Sequence, residues 1–395
     1  MKKILFVIDS LDCAGAEKSL VTLLSLLDYS KYRVDLILFG HGGTLEQLVP
    51  KEVNILPQFK YSKYTNLNLN DAVKHTFKKL EFRCLAARLR YSATIRIKKY
   101  SNPQKARVFW QSVASVIEEN PVEYDIAISY AQGIPTFFVI DKVKAKKKFA
   151  WVNVSYRLYG VDKLYQKKYY EHFDKVVSVS DSTKDILLET FPEIANKVEV
   201  IYDINNPEFI QNMANIQEGF NDNFEGIKIL TIGRLAKQKG YDIALDACRR
   251  LKEKGINFRW YVLGKGPLQG EIEQKIKEYG ISEHFILLGV KPNPYPYIKG
   301  ANIYVQTSRY EGFGLAIAEA RMLNVPVVTT KFDAVFNQMV HEKNGLVVEM
   351  NSSAVTDGII RLVEEEELRN SITKYLQREK KGNVEEIEKF YNLIG

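Results

Sequence analysis

The chain has 395 residues, 46% apolar and 26% charged, with a formal net charge of +8. That length exceeds one ordinary α/β core and suits two domains of about 150–200 residues, and no run approaches the roughly 18 uninterrupted apolar residues of a membrane-spanning helix. The cysteines, Cys13, Cys84 and Cys248, are scattered and form no C-x-x-C pair, which argues against a disulfide framework or a zinc site and fits a reducing cytoplasm.

Lys3–Ile8 reads as a first strand. The opening MKKILFVIDSLD starts basic, but its apolar run is short and Asp9 and Asp12 follow at once, unlike a signal peptide. A loop over 10–15 leads to a helix over 16–27, where Leu20, Leu23, Leu24 and Leu27 share one face. A second strand follows at 33–39. This βαβ unit implies a parallel sheet with a right-handed crossover. The loop DCAGAE lacks the G-x-G-x-x-G fingerprint, which speaks against a dehydrogenase. Gly15 within it serves either close approach of a ligand phosphate or an ordinary turn.

Between Lys60 and Arg107 thirteen Lys and Arg face only Asp71 and Glu81, a net of +11 that exceeds the charge of the whole chain. The segment from Asn70 to about Tyr100 reads as mostly helical, with Val73, Phe77, Leu80 and Cys84 repeating at i+4 and i+3 and most lysines on other faces. A basic, aromatic-bearing amphipathic helix fits an anionic membrane surface. A neutral scaffold is the alternative, and no nucleic-acid motif is present to favour that partner. Short strands follow at 124–129, 148–152, 175–179 and 198–201, with Ser180-Asp181-Ser182 capping a helix over 183–189. Asn153, Ser155 and Tyr156 lie just past a strand end, where acceptor contacts belong.

The polar, proline-bearing stretch 202–226 marks a domain boundary. A second alternation begins with the strand KILTIG over 228–233, and Gly233-Arg234 and Lys239 stand past its carboxyl end, suited to a diphosphate. Strands at 258–264, 285–288, 303–306, 325–330 and 345–348 complete a second sheet, with helices over 241–254, 269–279 and 383–393. The stretch YEGFGLAIAEA sets Glu311 and Glu319 around a Gly312-Phe313-Gly314 turn that opens a helix near Leu315. Helix N–H groups at a strand's carboxyl end hold anions, while an acidic cap and a surface glutamate are the plainer reading.

The segments GRLAKQKG, VLGKGPL, LLGVKPNPYPYI, VQTSRYEGFGLAIAEA and NGLVV, with AGAEKS near the start, resemble the retaining glycosyltransferases of family 4. That resemblance implies the GT-B architecture: two facing Rossmann-like α/β domains, 1–203 for the acceptor and 204–378 for the nucleotide-sugar, with 379–395 crossing back to the first. It implies a nucleoside diphosphate sugar donor (UDP or GDP) and a glycan or lipid-linked acceptor in surface polysaccharide synthesis. No metal or other cofactor is expected, and the protein should be cytoplasmic, on or near the inner membrane face. By position, Arg234 and Lys239 should clamp the diphosphate and, with Glu311, form the catalytic set. Glu319 should hold the ribose, and Glu311, Gly312 and Phe313 the donor sugar. Gly314 and Leu315 should meet phosphate, Val290 and Lys291 the base, and Gly15, Gly233, Gly264 and Gly266 should line the donor site. Many relatives carry histidine in a W-x-H motif where this chain has Asn153, which cannot take a proton. A same-fold enzyme with a soluble acceptor, and a non-catalytic nucleotide-sugar or nucleic-acid binding module, are the competing readings. The presence of Arg234, Lys239, Glu311 and Glu319 together weighs against the last.

Overall fold

The computed structural model describes the chain apart from residues 13–14, 98–99, 155–156, 217–218 and 292. The first sheet holds β1 (Lys2–Ile8), β2 (Tyr32–Leu38), β3 (Asn54–Ile55), β4 (Glu123–Ser129), β5 (Lys144–Val152), β6 (Lys175–Ser178) and β7 (Val198–Val200). All are parallel, in the order 3-2-1-4-5-6-7. Eight helices connect them: α1 (Gly15–Ser25), α2 (Lys60–Thr65), α3 (Leu69–Lys79), α4 (Phe82–Ile97), α5 (Asn102–Val113), α6 (Ile134–Lys142), α7 (Gly160–Tyr170) and α8 (Asp181–Thr190). The continuous apolar run of β1 follows from burial on both faces: Ile4, Phe6 and Ile8 enter one core, Leu5 and Val7 the other.

A short helix, α9 (Pro207–Ala214), precedes the second sheet, where sequence reading expects only a linker. Pro207 is its first residue and Asn206 caps it, accepting from the Phe209 amide at 3.2 Å. The sheet comprises β8 (Ile227–Ile232), β9 (Phe258–Leu263), β10 (Phe285–Gly289), β11 (Ile303–Gln306), β12 (Val327–Thr330) and β13 (Leu346–Val348), parallel in the order 10-9-8-11-12-13. Around it lie α10 (Tyr241–Glu253), α11 (Gln269–Glu278), α12 (Tyr295–Lys299), α13 (Leu315–Met322), α14 (Ser352–Glu364) and α15 (Glu366–Arg378).

The last helix, α16 (Glu386–Ile394), lies on the first sheet. Phe390 stacks on Phe6 with ring centres 6.1 Å apart, and Tyr391 stacks on Tyr32 at 6.0 Å. The chain therefore crosses between the sheets twice. The crossings pair with each other: the Asn205 amide donates to Asn383 Oδ1 at 2.8 Å, and the Tyr202 amide to Glu386 at 3.1 Å.

The segment expected to be mostly helical from Asn70 to about Tyr100 is helical, in two pieces, α3 and α4. Leu80 adopts φ +58°, a left-handed conformation that ends α3 before α4 begins. Its predicted apolar face is not buried: Phe77 is 65% and Leu80 76% exposed, while Ala72 and Thr76 point inward. Lys98 and Lys99 of the basic segment lie outside the described residues.

In each sheet the strand order reverses once, between β1 and β4 and between β8 and β11. Ligands of doubly wound sheets bind at such reversals, beyond the carboxyl ends of the strands. The two reversals meet: a Cβ on Gly15, which opens α1, would lie 3.6 Å from Leu315, which opens α13.

Candidate active site

On the second domain the loop between β11 and α13 folds back over the strand end and buries Glu311. Three donors converge on one oxygen, Oε1: Lys239 Nζ at 2.5 Å, Ser308 Oγ at 2.5 Å and Gln306 Nε2 at 2.7 Å. They fix the carboxylate's orientation, and among the described residues Oε2 has no hydrogen-bond partner. Gly233 is small because the stem of Lys239 lies over it; a Cβ there would be 3.0 Å from two Lys239 carbons. Lys239, expected on a diphosphate, is thus already engaged with Glu311. Its neighbour in the set, Arg234, is exposed and its guanidinium has no partner among the described residues.

Gly314, at φ +83°, turns the chain into α13, a conformation that costs a side-chain-bearing residue about 1–2 kcal/mol. Gln338 Nε2 donates to the carbonyls of Phe313 and Gly314 and fixes the turn. Leu315 is the first residue of the helix, so amides of its first turn have no partner within the helix. Glu319, one turn along, is only 2% exposed. Lys18 of α1 reaches across from the first domain to both of its oxygens, at 2.9 and 3.0 Å, and the Tyr295 hydroxyl donates to Oε1 at 3.2 Å. The carboxylate expected to meet a ribose is therefore held by a cation of the other domain.

Facing this turn, Asn153 donates through Nδ2 to the Tyr130 carbonyl at 2.7 Å, and its own amide donates to Gln132 Oε1 at 3.1 Å. Its Oδ1 is buried and lacks a partner among the described residues. A Cβ on Gly312 would lie 2.2 Å from the Asn153 carbonyl oxygen, so only glycine allows this approach of the two domains. Ser180 Oγ closes the same seam by donating to the Gly312 carbonyl at 3.1 Å. Ser155 and Tyr156, the other expected acceptor contacts, lie outside the described residues.

Gly264 and Gly266 serve packing in the second domain. Side chains there would lie 2.0 Å from the Gly233 carbonyl and 2.4 Å from that of Leu235. Val290 and Lys291 follow β10, the edge strand, three positions from β11, with the Lys291 ammonium 5.8 Å over the Tyr297 ring.

Sequence reading misses three groups near the first sheet's reversal. Lys18 shares a helix face with Gly15, three residues apart, but nothing local marks its partner 301 residues away. Asp9 ends the β1 segment, and burial, with the Glu17 charge adding, pushes its carboxyl up to about 7. Asp203, at the crossing, is likewise pushed up to about 7 by burial, although it accepts from Ser19 Oγ at 2.5 Å. Among the described residues no group of three or more His, Cys, Asp or Glu is placed to hold a metal ion.

Residues 213–379 match the family described as glycosyl transferases group 1. The chain is similar to N-acetylgalactosamine-N,N'-diacetylbacillosaminyl-diphospho-undecaprenol 4-alpha-N-acetylgalactosaminyltransferase of Campylobacter jejuni, 26% identical over 94% of this chain and 93% of that one. It is also similar to a capsular polysaccharide biosynthesis glycosyltransferase of Staphylococcus aureus, 25% identical over 55% of this chain and 61% of the relative. In structure it resembles TarM of S. aureus, solved with fondaparinux, α-GlcNAc-glycerol and UDP, at a TM-score of 0.70 and 14% identity over the whole of both chains. Two parallel-sheet domains meeting at their reversal points are the GT-B architecture. The second domain carries the match to the glycosyl transferases group 1, and the protein is a glycosyltransferase.

Proposed function

We propose that the protein is a retaining transferase that moves a glycosyl group from a UDP-sugar (a GDP-sugar being the alternative donor) to a hydroxyl of a lipid-linked glycan during surface polysaccharide synthesis. The carrying observation is the carboxyl edge of the second sheet, where Arg234, whose guanidinium has no partner among the described residues, the Lys239–Glu311 pair and the start of α13 all follow the neighbouring strands β8 and β11. In that reading Arg234, Lys239 and the first amides of α13 receive the diphosphate. Glu311 Oε2 meets the donor sugar, and Glu319 exchanges Lys18 for the ribose hydroxyls.

The acceptor hydroxyl attacks the anomeric carbon on the face the diphosphate leaves. The bond from that carbon to the β-phosphate oxygen breaks as the new glycosidic bond forms, and the hydroxyl proton passes to the departing oxygen. Negative charge grows on the leaving group, so cations fixed beside it favour the transition state over the ground state. These side chains supply that positive charge without a metal, and turnover should be retained in a chelator.

Support for a lipid-linked acceptor comes from the Campylobacter relative, whose name specifies a diphospho-undecaprenol-linked substrate, and from α3 and α4. Across α3, the Leu80 break and α4 the chain exposes Phe77, Leu80, Phe82, Leu89 and Ile97 together with the cations Lys74, Lys78, Lys79, Arg83 and Arg90. Apolar side chains set among cations are suited to the surface of an anionic bilayer. None of the described helices is long and apolar enough to cross a membrane, so this reading has the protein peripheral, on the inner face.

The test is thermal shift across UDP, GDP and their sugars, followed by transfer assays with a polyprenyl diphosphate-linked acceptor and flotation with vesicles of phosphatidylglycerol. The reading expects stabilisation by a uridine nucleotide and flotation that Phe77→Asp/Leu80→Asp removes. No nucleotide response would sink the donor assignment, and no flotation the membrane assignment.

A further inference from the structure

A cavity of about 200 Å³ opens between α2 and the carboxyl edge of the first sheet. We propose that it is a remote acceptor subsite, binding one uncharged pyranose residue of the acceptor glycan, set back from the residue that receives the transferred sugar. This deepens the reading above and rests on the acceptor being a glycan.

Size sets the first limit. Pockets for drug-sized ligands run from about 300 to 1,000 Å³, so a smaller cavity suits a single ring. Charge sets the second. The cavity borders the most basic part of the chain, yet no Lys, Arg, Asp or Glu lines it, and the nearby Lys60 and Lys63 are exposed. A phosphate or diphosphate would leave those cations unused, whereas a neutral polyol needs none.

The lining is divided in the way a pyranose is divided. Phe39, Tyr61, Phe109 and Ile134 present apolar surface, and Tyr61 and Phe109 stand in a T arrangement with centres 6.3 Å apart. Such a wall accepts the C–H face of a sugar ring. Gln58, Asn66, His41 and the Ser62 hydroxyl also line the cavity, and their side chains have no hydrogen-bond partner among the described residues. Side-chain amides both donate and accept, matching hydroxyls that do the same.

Position links the cavity to the reaction. Ile134 lies two residues beyond Gln132, hence within roughly 7 Å along the chain. Gln132 Oε1 holds the Asn153 amide, and the Asn153 carbonyl lies against Gly312 at the donor turn. One short loop thus borders both the cavity and the transfer centre.

The experiment is saturation-transfer NMR with the methyl glycosides of glucose, galactose, N-acetylglucosamine and N-acetylgalactosamine, each at millimolar concentration and in saturating UDP. Expected is a signal from at least one glycoside that survives UDP and falls at least fivefold in Gln58→Ala/Asn66→Ala. Neither residue is in the core, and the melting temperature and UDP affinity of the double variant should match the wild type. Three results would overturn the subsite while leaving the donor reading standing: UDP binds but no glycoside does, the signal persists in the folded double variant, or UDP displaces it. Failure of UDP itself to bind would instead overturn the donor reading.

Discussion

Glu311 receives Lys239, Ser308 and Gln306 on a single oxygen, so its second oxygen is aimed by three bonds that need no ligand. Preorganisation of this kind is what makes a polar group effective toward a transition state. Glu311→Gln should lower kcat/KM by roughly 10²–10³ with a melting temperature close to wild type, read by initial rates and calorimetry. Lys18→Met separates two effects. It leaves Glu319 buried without its cation, which should destabilise the empty protein by up to roughly 3 kcal/mol and strengthen UDP binding, because the nucleotide no longer displaces an ion pair. An unchanged UDP Kd by titration calorimetry would show that ribose and Lys18 do not compete. Asn153→Ala should lower transfer and spare nucleotide binding, and unchanged turnover would remove its orphan Oδ1 from the site. The places of Arg234, Lys239, Glu311 and Glu319 at strand ends, turns and a helix start are legible in the sequence because each sits in a short local segment. Lys18 is not, since its role exists only when α1 meets α13.

Among the elements, α13 depends most on one residue. Gly314→Ala places a Cβ at a φ of +83° and 3.1 Å from Gln338 Nε2. It should cost about 1–2 kcal/mol in stability and weaken UDP binding by tilting the helix start, both readable from one thermal-shift series with nucleotide. The long strands and amphipathic helices were legible because hydrophobic runs and periods declare them. Others were not. β3 is only two residues long, α9 carries the proline and asparagine that also signal a turn, and the break at Leu80 needs a left-handed leucine that no composition rule anticipates. The same break leaves Phe77 and Phe82 edge to face at 5.5 Å on the exposed side.

For the molecule as a whole, the two crossings form one joint, and Asp203 is buried within it beside Ser19 and Tyr130. Its carboxyl titrates near 7 when folded and near 3.9 when unfolded. The folded state therefore holds the proton more tightly, and this contribution is complete at low pH and lost as pH rises from about 4 through 7. Asp203→Asn keeps an uncharged side chain there at every pH. Relative to wild type it should gain stability across that window, by at most about 4 kcal/mol, measured as urea unfolding at pH 4 and pH 8. A gap that does not change with pH would mean that Asp203 is not the titrating group.

The return of α16 also orders events in time. Phe6 and Trp151 belong to the first sheet, yet Phe390 packs against both. Domains tend to complete themselves in the order the ribosome releases them, but here one wall of the first core is translated only after the entire second sheet. Until then the nascent first domain carries an open apolar flank around Phe6, Trp151 and Tyr32. That flank is a natural site for a chaperone to hold, and its closure couples completion of the first domain to completion of the second.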